Sequence, residues 1–332
     1  MPRDPLMQAQ LDRKTLTEYA KKTHAFIQYY NRHNSKGLKL TLRTLEGFIP
    51  ELNKTKRIVE LDYLLSVYLS REWKKNPKQS VNFAGFTING LIFFQPQLAS
   101  KLHRARKRVR GWRQVVPKKS HVAMPWPLAV LVAVTLVNQR KFDLGVGVLL
   151  AHHCMLRSKE LVNIRASDLE FASQFSRQGG AGLRLGETKT GRNKFAKITS
   201  QPIIRLLRRL VEMRTATAGP DARLISVGAQ SLRLHFKLAC DFLNFGHFKF
   251  SPHSLRGGGA TALHDEGVNE DKIMQRGRWT QRKSLNTYLQ SGRSVFIEYW
   301  QKRQSCPLQL SSTEPDYVAD LMLTLHEQLS RK

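Results

Sequence analysis

Apolar residues recur at helical spacing through the first hundred positions. In TLTEYAKKTHAFIQYYNRH, Leu16, Tyr19, Ala20, Thr23, Phe26, Ile27 and Tyr30 fall near one stripe. In IVELDYLLSVYLSREWKK the stripe is Ile58, Leu61, Leu65, Tyr68 and Leu69. Positions three and four apart share a helix face, so both stretches predict amphipathic helices. The apolar stretch from Ser80 to Leu98, broken near Pro96, predicts a further helix and a turn. Further on, PLAVLVAVTLV (Pro127 to Val137) and LGVGVLLAHHCML are separated by the polar NQRKFD. Both are apolar all round, which predicts two buried core helices. Neither is long enough to span a bilayer.

The pattern then changes. LVNIRASDLEF places Asp168 near the start of a strand, and LRLGETKTGRNKFAKI predicts two short strands around a Lys/Gly/Asn turn. IIRLLRRLVEMR and SLRLHFKLACDFL return to helical spacing. The closing PDYVADLMLTLHEQLSRK predicts a detached amphipathic helix with Val318, Leu321, Met322 and Leu325 on one side. The sum is a mainly α protein with a small sheet.

Charge divides this pattern in two. KLHRARKRVRGWRQVVPKK, Lys101 to Lys119, holds no acid, and Gly111, Pro117, Pro125 and Pro127 punctuate it and the residues just beyond it. A domain boundary near residue 120 is expected, with a basic, partly flexible connector suited to lying along a phosphate backbone. Lys101, Arg104, Arg106, Lys107, Arg108, Arg110 and Arg113 are its candidate DNA contacts. The 332 residues are enough for two domains, and 41% hydrophobic residues are enough for a buried core. The 55 Lys and Arg against 25 Asp and Glu give a formal charge of +30, which a polyanionic partner would relieve; nucleic acid is expected. Cys154, Cys240 and Cys306 are far apart and odd in number, which fits a reducing, intracellular setting and offers no zinc spacing. His152 and His153 are adjacent and cannot share a helix face. The N-terminus is polar and shows no secretory signal.

Several chemistries lack their residues. GETKTGRN approaches a phosphate-binding loop, but Arg192 stands where the lysine belongs and Asn193 where Ser or Thr would hold magnesium. HExxH and GxSxG are absent, as is a clear acidic cluster for two metals. The remaining candidates are basic and aromatic: Arg157 in RSKEL, Lys189 on the hairpin, His253 and Arg256 in SPHSLRGGG, Trp279 and Tyr288. This set suits phosphodiester chemistry. Two guanidiniums can clamp non-bridging oxygens, a lysine can protonate a leaving oxygen, and a tyrosine beside positive charge is easier to deprotonate.

At this point a resemblance is visible. CMLRSKELVNIRASDL, TKTGRNK, HSLRGGGATAL and IMQRGRWTQRKSLNTYL resemble, in order and spacing, the four boxes of the tyrosine recombinase or phage-integrase family. Within it the closest likeness is to Cre-type recombinases, with a second to Xer-type enzymes. The resemblance implies a two-domain DNA clamp: residues 1–119 as an all-helical, SAM-like core-binding domain, 120–305 as a mixed α+β catalytic domain with a small antiparallel sheet, and 306–332 as a tail helix of the kind docked on a neighbouring subunit or on its own domain.

It also implies roles. Arg157 and Arg256 bind the scissile phosphate, Lys189 is the general acid (Lys194 the fallback), and His253 assists as acid, base or phosphate donor. Trp279 donates its indole N–H or packs the nucleophile's helix, and Glu160 orders Arg157 or the histidine. Tyr288, nine residues after Trp279, attacks and forms a 3′-phosphotyrosyl link; Tyr299 lies too far on. The expected partner is double-stranded DNA, with self-association as a tetramer on it, no metal, no ATP or other small-molecule cofactor and no membrane. A mobile-element origin is expected. The alternatives are a catalytically silent DNA-binding descendant and a type IB topoisomerase. Gly257, Gly258 and Gly259 are expected to let a DNA strand come close.

Overall fold

The computed structural model describes residues 11–34, 39–45, 55–116, 121–172, 179–188, 191–292, 297, 307–308 and 310–331. The chain divides into two compact units, Met1–Lys119 and Ser120–Lys332.

In the first unit the described elements are helices: α1 (Arg13–His33), the single turn α2 (Leu42–Leu45), α3 (Thr55–Lys75), α4 (Asn82–Phe94) and α5 (His103–Val115). The stripes seen in the sequence meet here. Phe26, Ile27 and Tyr30 pack with Leu61, Leu65, Leu69, Ile88 and Leu91. The basic stretch expected to be a connector is α5, a helix of this unit. Its Ala105, Val109 and Trp112 recur at helical spacing and are buried in the same core. Buried Asp62 fixes its first turn by accepting from the backbone N–H groups of Arg104 (2.8 Å) and Ala105 (2.9 Å). The indole of Trp112 donates to the Gln79 carbonyl at 3.0 Å.

The second unit is built on α6 (Trp126–Asn138) and α7 (Phe142–His153), the two all-apolar helices, packed side by side and buried along nearly their whole length. The single-turn helix α8 (Ser158–Asn163) leads to an antiparallel sheet of β1 (Leu169–Phe171), β2 (Ala181–Thr188) and β3 (Gly191–Ile198) in that order. Its register pairs Leu183 with Ala196 and Ala181 with Ile198, and these residues face the core. The sheet is followed by α9 (Gln201–Ala218), α10 (Ala229–Phe242), α11 (Pro252–Asp265), α12 (Glu270–Gly277) and the short α13 (Arg282–Asn286).

The final helix, α14 (Pro315–Ser330), is not detached. It lies on α6 and α9 of its own unit and buries Val318, Ala319 and Met322. Arg205 holds it through Asp316 (2.9 Å) and Asp320 (2.8 Å), and His326 stacks on Phe142 at 4.3 Å. Among the described residues no helix is long and apolar enough to cross a membrane.

Candidate active site

Arg157 follows a tight turn after α7, in which Met155 takes a positive φ of 49°. It caps α8. The Arg157 backbone N–H donates to Glu160 Oε2 at 2.9 Å and its guanidinium donates to Glu160 Oε1 at 2.5 Å. A carboxylate three residues into a helix answers its cap in this way. Burial alone would raise the Glu160 carboxyl. The bond from the Arg157 backbone, the Arg278 charge and the Arg157 side chain outweigh it and hold the carboxyl below its ordinary range. Glu160 therefore bonds both the backbone and the side chain of Arg157.

Ser251 opens α11 as its N-cap, and its backbone N–H donates to Ser254 Oγ at 3.1 Å. His253 lies in the first turn. Its Nε2 is 2.8 Å from the Tyr288 hydroxyl. Burial, then the positive fields of His121, Arg256 and Arg157, push its imidazole down to about 4, with Glu160 opposing. His121 was not anticipated from sequence. Its ring meets that of His253 edge to face at 4.7 Å, and its Nδ1 is 3.2 Å from Ser251 Oγ. The Gln290 side chain holds it by donating to the His121 carbonyl at 2.9 Å.

Arg256 is fully buried. Its guanidinium donates to the carbonyls of Met155 and, at 2.6 Å, Gly277, while its Nε finds no partner among the described residues. The Trp279 ring covers it at 4.1 Å and the Tyr288 ring lies 5.8 Å away. Burial, then the charges of Arg157 and Arg278, pull its proton affinity below the ordinary arginine value. His253 and Arg256 share a helix face as expected, but His253 meets Tyr288 at the surface while Arg256 is held beneath it.

Trp279 packs 5.2 Å from Tyr288, so its observed contacts are those of a packing residue between Arg256 and Tyr288. Gly277 is required beneath it, because a Cβ there would overlap the Trp279 ring. Between them stands Arg278, also unanticipated, with φ 59° and a buried guanidinium that bonds Glu160 Oε2 at 3.1 Å. The Tyr288 carbonyl accepts from Thr261 Oγ1 at 3.0 Å, which ties the segment after α13 to α11.

Two of the three glycines are required by packing. A Cβ on Gly258 would overlap the Met124 carbonyl oxygen, and one on Gly259 the His152 carbonyl oxygen. Gly257 alone borders the site: its Cβ would sit 3.6 Å from the Tyr288 ring and 3.4 Å from Ala123. Lys189 and the rival Tyr299 lie outside the described residues. The fallback Lys194 is half-buried on β3, paired with Leu185. Lys101, Arg104, Arg106, Lys107, Arg108, Arg110 and Arg113 are all exposed on or beside α5. Among the described residues no group of three His, Cys, Asp or Glu could hold a metal ion.

Arg157, His253, Arg256, Trp279 and Tyr288 thus come together from three separate stretches of one unit, spanned by a single stretch of sequence. The family model of the phage integrase family matches residues 134–294. This match assigns a phage-integrase-family domain to that stretch of the second unit. Every residue assigned a role by resemblance falls inside it. Among solved structures, the Tn1549 transposon integrase in complex with transposon right end DNA is similar at 14% identity, covering 87% of this chain and 99% of that chain, with a TM-score of 0.52. A lambda integrase dimer bound to a COC′ core site is similar at 16% identity, covering 86% and 92%, with a TM-score of 0.50. At these identities the likeness is one of fold: mostly helical, with a small antiparallel sheet. A search of curated proteins finds no match.

Proposed function

We propose that this chain is a site-specific DNA recombinase or integrase that cleaves and rejoins double-stranded DNA through Tyr288. The observation that carries this is the 2.8 Å approach of His253 Nε2 to the Tyr288 hydroxyl, beside two buried or half-buried arginines. A histidine held neutral can accept the phenol proton as the oxygen attacks phosphorus. The Tyr288 O–P bond forms, the P–O5′ bond breaks, and the 5′ oxygen takes a proton from Lys189. The products are a 3′-phosphotyrosyl link and a free 5′-hydroxyl. Attack by a 5′-hydroxyl from another strand reverses the step, so the bond energy is conserved and ATP is not consumed; no step calls on a metal.

Arg157 and Arg256 neutralise charge on the non-bridging oxygens. Since Arg256 is covered by Trp279, its contact with a phosphate requires that cover to shift. The first unit acts as the core-binding domain, with α5 along the phosphate backbone. The enzyme assembles on DNA as a tetramer, and its origin is a mobile element. A dimer on DNA is described for the lambda integrase relative.

The test is incubation with nicked duplexes carrying the DNA that flanks the chain's own gene. A protein–DNA adduct that survives denaturant and forms in the presence of a chelator, followed by strand exchange, supports the reading. Binding without any adduct points to a silent DNA-binding protein, and relaxation of random plasmid without strand exchange to a topoisomerase.

A further inference from the structure

We propose that Arg278 is a positioning residue for strand cleavage, acting through Glu160 and the Met155 carbonyl to hold Arg157 and Arg256 against Tyr288. This rests on the recombinase reading above. Arg278 closes α12 with φ 59° and ψ 42°, a left-handed turn in which a glycine is favoured and a long side chain is uncommon. The turn alone does not need a guanidinium. Yet the side chain is only 5% exposed. A buried cation at a strained backbone position persists where its surroundings fix it from several sides.

Here they do. Nη1 donates to the carbonyls of Cys154 (3.2 Å) and Arg276 (3.0 Å), and Nη2 to the carbonyl of Met155 (3.1 Å) and to Glu160 Oε2 (3.1 Å). Two of these acceptors are shared. Glu160 turns its other oxygen to the Arg157 guanidinium, and the Met155 carbonyl also accepts from Arg256. Arg278 is in neither of those bonds and does not touch Tyr288. It holds one acceptor of each arginine. Without it, Glu160 Oε2 keeps only the Arg157 backbone N–H and the carboxylate only the Arg157 guanidinium, so its position is fixed from one side alone, and the turn carrying the Met155 carbonyl loses two of its donors. Geometry errors of about 1 Å at a reacting centre lower rates on the order of 100-fold.

The experiment begins by selecting, with the unaltered full chain, a nicked duplex from a random-sequence library for denaturant-resistant adduct formation. Single-turnover cleavage of that duplex, its binding affinity and thermal melting are then compared across variants. Arg278→Gly keeps the turn and removes the guanidinium. It is expected to cleave about 10- to 100-fold more slowly, with unchanged affinity and a retained melting transition. Arg278→Lys, which reaches fewer acceptors, falls between it and the unaltered chain. Glu160→Gln added to Arg278→Gly is expected to cost less than Glu160→Gln alone, because both act on one link. A merely structural role would move melting and leave that coupling absent. Unaltered cleavage by Arg278→Gly, or losses that simply multiply, overturns the proposal. Should Arg278→Gly fail to fold, Arg278→Lys decides: an unchanged rate overturns it and a several-fold loss at constant melting supports it. No adduct from the unaltered chain with any duplex overturns both this proposal and the recombinase reading.

Discussion

Gly257, Gly258 and Gly259 follow one another on α11, yet each faces a different neighbour. Gly258 has the least room, because the Met124 carbonyl and the His152 ring crowd it. Gly258→Ala is therefore expected to destabilise by about 1–3 kcal/mol or more, as overpacking does. Gly85, on α4, has nothing within 4 Å of its Cβ position. Gly85→Ala is expected to stabilise by about 0.5–1 kcal/mol, and two thermal melts check the pair. His152 gives a second prediction at this scale. It is buried, its Nε2–H donates to the Met124 carbonyl at 3.2 Å, and burial pushes its imidazole down to about 4. Below pH 6.5 the unfolded chain binds a proton that the native ring refuses, so stability falls as pH falls from 6.5 toward 4. Between pH 7 and pH 5 this one group removes about 2 kcal/mol. Melting at the two pH values is expected to differ less for His152→Gln than for the unaltered chain. The catalytic candidates could be placed in sequence because four boxes recur at a readable spacing. Arg278 could not. Among 55 Lys and Arg nothing marks one of them as buried, and a positive φ at a residue other than glycine leaves no trace in composition. His121 was hidden for a related reason: it meets His253 only because the chain folds back across more than a hundred residues.

At the scale of elements, the helices were legible wherever one face is apolar. The stripes of α1 and α3 and the all-apolar α6 and α7 appear as the pattern predicts. The exception is α5, where charge density masked the signal. Read for charge, His103–Val115 is a basic tether; read for spacing, Ala105, Val109 and Trp112 are a core face, and burial of that face decides the outcome. The helix presents Arg106, Arg110 and Arg113 along one side, where with Gly85, Ile88 and Asn89 they line a cavity of about 170 Å³. If that side tracks a phosphate backbone, replacing the three with Ala lowers the slope of log affinity against log salt by about 0.9 for each phosphate no longer neutralised, with little change in melting. An unchanged slope would place the DNA elsewhere. The tail helix was the other divergence. Its apolar stripe was evident, but a stripe does not name its partner. The structure supplies α6 and α9 of the same unit, with Arg205 bridging to Asp316 and Asp320.

At the scale of the molecule, the family match spans the second unit's site and the first unit carries the basic helix. The formal +30 is in keeping with the proposed action on a polyanion. The central claim is that Tyr288 joins covalently to DNA, and one comparison tests it most directly. The unaltered chain and Tyr288→Phe are each mixed with a nicked duplex cleaved by the unaltered chain, quenched in denaturant and separated by size. Removing one hydroxyl leaves the Trp279 and His253 ring contacts in place, so duplex binding is expected to be unchanged. The account predicts a denaturant-resistant adduct for the unaltered chain and none for Tyr288→Phe; an adduct that persists in Tyr288→Phe would contradict it.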